Sequence, residues 1–237
     1  MRQRIENILD WAAVRGYRTG DNPARWRGHL EEALPARTAV TQHHAALPYT
    51  EVPAFIAALA KQRGIAPKAL EFLILTAARS GEVIGARWDE IDLERKLWGI
   101  PGARMKEKRE HRVPLVPRAI AILQELPREG EFVFIGAKPH HPIGKNSFLK
   151  LLKVMGRQDI TTHGFRSSFR DWAGETTNFS PDLCEVALSH LVGGKVQTAY
   201  QRGDLLEKRR KLMEAWAGFC ASPDKRDATV TPIRNRR

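Results

Sequence analysis

The stretch Thr162-His163-Gly164-Phe165-Arg166-Ser167-Ser168-Phe169-Arg170-Asp171-Trp172-Ala173 sets an imidazole and a guanidinium three positions apart. On a helix His163 and Arg166 share one face, while Phe165, Phe169 and Trp172 mark the opposite, buried side. A guanidinium grips two phosphate oxygens and an imidazole supplies a further donor; taken alone, the pair reads as a solvated polar face. In Leu75-Thr76-Ala77-Ala78-Arg79-Ser80-Gly81-Glu82, Arg79 follows directly on the most apolar helix of the chain. An arginine buried there must be paired. Glu82 is placed to hold one side of it and a phosphate could take the other, the alternative being a purely structural Arg79–Glu82 pair. A basic turn, Arg104-Met105-Lys106-Glu107-Lys108-Arg109-Glu110, runs into His111-Arg112-Val113-Pro114-Leu115 and can carry a lysine to a phosphate, although a lone charge run is more often a solvated turn. Leu188-Ser189-His190 is followed ten residues on by Tyr200. Tyr17 falls in an N-terminal helix and Tyr49 at a linker boundary, so Tyr200 is the tyrosine that lies among polar residues near a histidine; alone it would be an ordinary half-exposed side chain.

The elements that must position these groups are mostly helical. Within the segment 5–17, Ile5, Ile8, Leu9, Trp11, Ala12 and Val14 give an amphipathic helix that ends at Gly16. Pro35 to Pro48 reads as a linker. The main domain begins near Thr50 with a helix to Lys61, followed by a strongly apolar helix from Pro67 to Ala78. Ile91-Asp92-Leu93, Leu97-Trp98-Gly99-Ile100 and His111 to Leu115 predict three short strands, and Phe132-Val133-Phe134 a fourth. Helices are expected over Ala119–Leu126, Asn146–Met155, Thr162–Ala173, Pro181–Ser189 and Leu205–Phe219, the last either docking on a neighbouring subunit or packing on its own. The fold class is therefore α+β, mainly helical, with a small antiparallel sheet near the front. Four segments follow: residues 1–34, a helical remnant; 35–49, the linker; 50–222, the main domain; and 223–237, a basic tail without apolar pattern, expected to be disordered.

Of 237 residues 42% are hydrophobic and 28% charged, enough to bury a core, but the net charge is +12 and the isoelectric point near 10.1. Such a surplus favours a polyanionic partner, nucleic acid foremost, without identifying a site. Cys184 and Cys220 form no spaced framework, which argues for a reducing compartment and against a zinc ribbon. His43-His44 and His140-His141 lack carboxylate companions, and no metal is assigned. No apolar run is long enough to span a membrane and no hydrophobic stretch follows the N-terminal charges, so the expectation is an intracellular, soluble chain with no membrane partner.

In order, Arg79 with Glu82, Lys106 on a turn, His163-x-x-Arg166, His190 and Tyr200 resemble the active site of the tyrosine recombinases, the phage integrase family. The resemblance covers about Thr50 to Gly218 and is strongest to the P4-like branch, in which Leu-Thr-Ala-Ala-Arg-x-Gly-Glu, His-Arg-Val-Pro-Leu and Ala-Tyr-x-Arg-x-Asp-Leu-x-Glu-Lys-Arg-Arg recur. Two positions depart from it, since many relatives carry Gly where this chain has Ala77 and Ser189; the His190–Tyr200 interval is also one residue longer than in many. The resemblance implies a recombinase catalytic domain that cuts and rejoins DNA through a 3′-phosphotyrosine at Tyr200, with no cofactor, metal or ATP. Arg79, Arg166, His163 and His190 would bind the scissile phosphate, with His163 also a candidate for proton removal from Tyr200. Lys106, or failing it Lys108, would protonate the leaving 5′-oxygen, and Glu82 would orient Arg79. Lys108, Arg109, Arg112 and Arg202 are expected on DNA, and the chain is expected to be a monomer alone, a homo-tetramer on double-stranded attachment-site DNA, and cytoplasmic at the bacterial nucleoid. Residues 1–34 would be the last part of a core-binding domain. The competing readings are a truncated integrase fragment that binds DNA without recombining it and a metal-dependent nuclease.

Overall fold

The computed structural model describes residues 1–34, 45–138, 140–190 and 204–222. The chain divides into two compact units, Met1–His43 and His44–Arg237. In the first, helix α1 (Arg2–Val14) covers most of the expected segment and ends ahead of Gly16, whose φ of 75° no helix continues. Asn22 ties the following turn back, its side-chain amide donating to the Glu6 carbonyl (2.9 Å) and to Asp10 (2.6 Å). The apolar stripe of Ile8, Trp11 and Val14 is exposed.

In the second unit α2 (Val52–Leu59) and α3 (Ile65–Thr76) are followed by a short helix, α4 (Ser80–Ile84). Helix α3 is apolar nearly all round and is accordingly the central helix: Leu70, Phe72, Leu73 and Ile74 are fully buried. Burial of each such side chain stabilises by about 1.5–3 kcal/mol. Around α3 pack α5 (Pro117–Gln124), α6 (Ser147–Val154) and α9 (Leu206–Cys220), and the remaining helices are α7 (Gly164–Thr176) and α8 (Pro181–Ala187). Trp216 of α9 is buried against Phe169 and Trp172 and donates its indole N–H to the Ile74 carbonyl at 2.8 Å. The last helix thus packs on its own core.

The three expected strands form an antiparallel sheet in the order β1 (Ile91–Asp92), β2 (Leu97–Ile100), β3 (His111–Pro114), with Trp98 opposite both Ile91 and Val113. The fourth does not form. Phe132–Phe134 makes only a single bridge to Arg87, and Ile135 another to Pro142. The apolar run exists because Val133 and Phe134 fill the core, not because they join a ladder. Of the expected linker, residues 35–44 lie outside the described residues and the remainder packs on the second unit. Leu47 is buried, and the Ala45 carbonyl accepts from the Thr161 amide at 3.0 Å. Gly164 follows from this: a Cβ there would collide with the Ala45 carbonyl and lie 2.7 Å from Ala46 Cα. The tail expected over 223–237 lies outside the described residues.

Candidate active site

Two helix ends build the site. Helix α3 stops at Ala77, which adopts a left-handed conformation (φ 49°), and the chain turns so that Arg79 caps α4. There Glu82 accepts twice from Arg79, from the backbone N–H at 2.7 Å and from Nη1 at 2.8 Å. Helix α8 stops at Ser189, also left-handed (φ 52°). Both ends leave carbonyls without helical partners, at the negative pole of the helix. The two arginines take them: Arg166 Nη1 donates to the Ala77 carbonyl and Nη2 to that of Leu188, each at 2.5 Å, while Arg79 Nη2 lies 3.4 Å from the Ser189 carbonyl.

Arg166 is 4% exposed, yet among the described residues no carboxylate forms a salt bridge with it. Its third neighbour is His190, whose Nε2 lies 3.1 Å from Nη2, and among the described residues its buried Nε has no hydrogen-bond partner. Burial, and then the nearby charge of Arg79, hold its pKa down to about 10, so at neutral pH it is still a cation. Among the described residues this buried cation has carbonyls for partners and a second cation beside it, while Glu82 and Glu185 act on it only through space. Arg79 thus pairs with Glu82 and also lines a cleft.

An open cleft of about 530 Å³ is lined by Arg79, Ser80, Gly81, Glu82, Arg104, Met105, Lys106 and His163. Lys106 stands exposed on the turn before β3, and His163 is the exposed N-cap residue of α7. The structure therefore brings Arg79, Glu82, Lys106 and His163 to one cleft and Arg166 and His190 to the same pair of helix ends. Tyr200 and Arg202 lie outside the described residues. Lys108 and Arg109 are exposed beside Lys106, with Lys108 left-handed (φ 56°) where the turn folds tightly over Gly102. Arg112, expected on DNA, has its fork on Asp204 here, with Nε and Nη2 each 2.8 Å from a carboxylate oxygen. Asp204 also binds the fully buried Arg209, whose Nη2 is 2.8 Å away.

Sequence reasoning missed Arg104, which pairs with the buried Glu90 and donates from Nη2 to the Glu82 carbonyl at 2.5 Å, bracing α4 against the turn that bears Lys106. Nothing local flags it, because Glu90 is fourteen positions away. It also missed His111, which is neutral: burial chiefly, with the positive charge of Arg209 and then Arg166, lowers its pKa to about 4 against the weaker pull of Glu82 and the Ala187 carbonyl. Among the described residues no cluster of His, Cys, Asp or Glu is arranged to hold a metal ion, and no helix is long and apolar enough to cross a membrane.

Residues 46–177 match the family model described as "Phage integrase family", and residues 1–29 that of the "Phage integrase central domain". Prophage integrase IntZ of Escherichia coli K12 is 35% identical over 222 residues, covering 92% of this chain and 54% of the relative. The integrase of Enterobacteria phage P4 is 32% identical over 241 residues, covering 92% and 54% respectively. The chain spans about half the length of these relatives. Among solved structures, a lambda integrase tetramer bound to a Holliday junction superposes with a TM-score of 0.57 at 14% identity, over 86% of this chain and 58% of the other. That likeness establishes the tyrosine-recombinase catalytic fold.

Proposed function

Since the chain belongs to the phage integrase family, in the branch of the phage P4 integrase, we propose that it is the catalytic part of a tyrosine-type site-specific recombinase acting on double-stranded DNA. The observation that carries this reading is Arg166, a buried guanidinium beside Arg79 with an orphaned Nε and no acidic partner among the described residues. Phosphoryl transfer concentrates negative charge on the non-bridging oxygens, and two preorganised guanidiniums stabilise it without rearrangement. In this reading the phenol oxygen of Tyr200 attacks the scissile phosphorus and loses its proton, with His163 as the candidate acceptor. The bond to the 5′-oxygen breaks, Lys106 (or Lys108) protonates the departing oxygen, and the DNA is left joined through its 3′-phosphate to tyrosine. Attack by another 5′-hydroxyl reverses these steps, so bond energy is conserved and no ATP is consumed.

Residues 1–34 are assigned to the end of a core-binding domain, supported by the central-domain match, and residues 50–222 to the catalytic domain. Lys108, Arg109 and Arg202 are assigned to DNA contacts, and Arg112 to holding Asp204. Assembly as a tetramer on DNA is proposed by analogy with the lambda integrase assembly, and action at the bacterial nucleoid with it.

The test uses a pool of nicked duplexes with randomised cores, incubated with the chain and searched for detergent-resistant protein–DNA adducts. Wild-type protein is expected to yield adducts in the presence of EDTA, and Tyr200→Phe none, with duplex binding nearly unchanged. Adducts surviving in Tyr200→Phe would remove the nucleophile assignment. Nicking abolished by EDTA would point to a metal-dependent nuclease, and DNA binding with no adduct at all to a fragment that only binds.

A further inference from the structure

Helix α8 ends in a Schellman turn. The Ser189 amide donates to the Val186 carbonyl at 3.0 Å and the His190 amide to the Glu185 carbonyl at 2.9 Å, with Ser189 in the left-handed conformation that closes the motif. This turn brings residues five apart in sequence side by side, and their side chains meet as well: Glu185 Oε2 lies 2.5 Å from His190 Nδ1. The other oxygen, Oε1, accepts from Arg170 Nε at 2.5 Å, and Arg170 stands one turn beyond Arg166 on α7.

The partners decide which ring nitrogen carries the proton. An ionised carboxylate only accepts, so His190 Nδ1 is the donor toward Glu185. With a single proton on the ring, Nε2 is then a lone pair that faces Arg166 Nη2, which can only donate, so in this arrangement His190 supports Arg166 and is not itself a donor to the phosphate. The opposite tautomer would set N–H against N–H at Arg166 and leave the Glu185 oxygen facing a lone pair. Burial raises the Glu185 pKa, but the hydrogen bonds from Arg170 and His190 outweigh it and the net shift is downward, which keeps the carboxylate charged.

Resting on the recombinase reading, we infer that Glu185 is a positioning residue that acts through His190 on Arg166: it fixes the Nδ1–H tautomer and the ring plane, so that the Nε2 lone pair steadies the guanidinium. The consequence is electrostatic. A carboxylate placed directly on Arg166 would neutralise it, whereas the relay holds the fork in place and leaves the charge to a substrate phosphate. Arg170 serves the relay from behind, occupying the second Glu185 oxygen so that the carboxylate cannot swing away from the ring.

The experiment records long-range ¹⁵N–¹H correlations of His190 in the full chain at a pH of about 8, where the free imidazole is neutral. The wild-type ring is expected as the Nδ1–H tautomer and Glu185→Ala as a mixture. Glu185→Gln, nearly isosteric and still able to accept from Nδ1–H, is expected to retain most of the Nδ1–H form. In the randomised nicked-duplex assay Glu185→Ala should slow adduct formation roughly tenfold, the lower range for a lost hydrogen bond to a charged group, and Glu185→Gln should recover most of it. An Nε2–H tautomer in the wild type overturns the inference, as do an unchanged tautomer and rate in Glu185→Ala. If the wild type forms no adducts, the recombinase reading fails while the tautomer measurement still decides the role of Glu185.

Discussion

Two bases near the same helix ends, one buried and one half-buried, meet opposite fates. Arg166 remains a cation because even a lowered pKa of about 10 lies far above neutrality, whereas an imidazole with an ordinary value of 6.5, pushed to about 4, gives up its charge. His111 therefore makes the fold acid-sensitive. Its folded pKa is depressed, so its contribution is fully present above 6.5, where folded and unfolded chains both hold it neutral. It is lost as pH falls toward 4, because the unfolded chain binds the proton first. Between pH 7 and pH 4.5 the loss should be about 2 kcal/mol from this group. Urea unfolding of the wild type and of His111→Gln at the two pH values measures it. The variant should lose correspondingly less stability over that interval, and parallel losses in the two proteins would show that His111 does not titrate with folding.

Local turns rather than long helices set the site, and here the chain carries strain. Ala77 and Ser189 are both left-handed, with φ of 49° and 52°. A side chain costs energy in that conformation, and glycine relieves it. Yet both turns are needed, since the carbonyls of Ala77, Leu188 and Ser189 face the two arginines. Ala77→Gly and Ser189→Gly are each expected to stabilise the protein by about 1 kcal/mol, read as a higher urea midpoint at unchanged slope. A lower midpoint in either would mean that the native turn is not strained. These turns also explain what the sequence could and could not disclose. Helices α3 and α7 were legible because their apolar residues repeat over several turns, and the antiparallel hairpins because short β-branched and aromatic runs flank polar turns. Helix α4 is five residues long, too short for periodicity to register, and it exists because Glu82 caps Arg79. Arg166 was visible as a residue type, but its burial was not: the helical pattern assigned it to a polar face, and only the carbonyls of two other helix ends explain how a cation enters the core.

Across the whole molecule the +12 charge is not spread evenly over its functions. Several guanidiniums hold the fold: Arg104 on Glu90, Arg118 on Glu71, Arg157 on Asp159, Arg170 on Glu185, and Arg112 with Arg209 on Asp204. By contrast Lys106, Lys108 and Arg109 are exposed on one turn beside the cleft, and among the described residues none has a carboxylate partner. Only the second group has charge to offer a polyanion without first breaking a bond. Binding of a generic duplex should therefore weaken steeply with salt, and the double variant Lys108→Ala with Arg109→Ala should flatten the slope of log K against log salt by about 0.9 for each phosphate that is no longer neutralised. Arg112→Ala should leave that slope unchanged and lower stability instead, because Asp204 loses one of its two guanidinium partners. Anisotropy titrations over a range of salt concentrations, paired with urea unfolding, separate the two classes. A flattened slope in Arg112→Ala would show that the arginine on Asp204 exchanges its carboxylate for DNA, an unflattened one in the double variant would show that Lys108 and Arg109 neutralise no phosphate, and either would redraw the division between structural and DNA-facing charge.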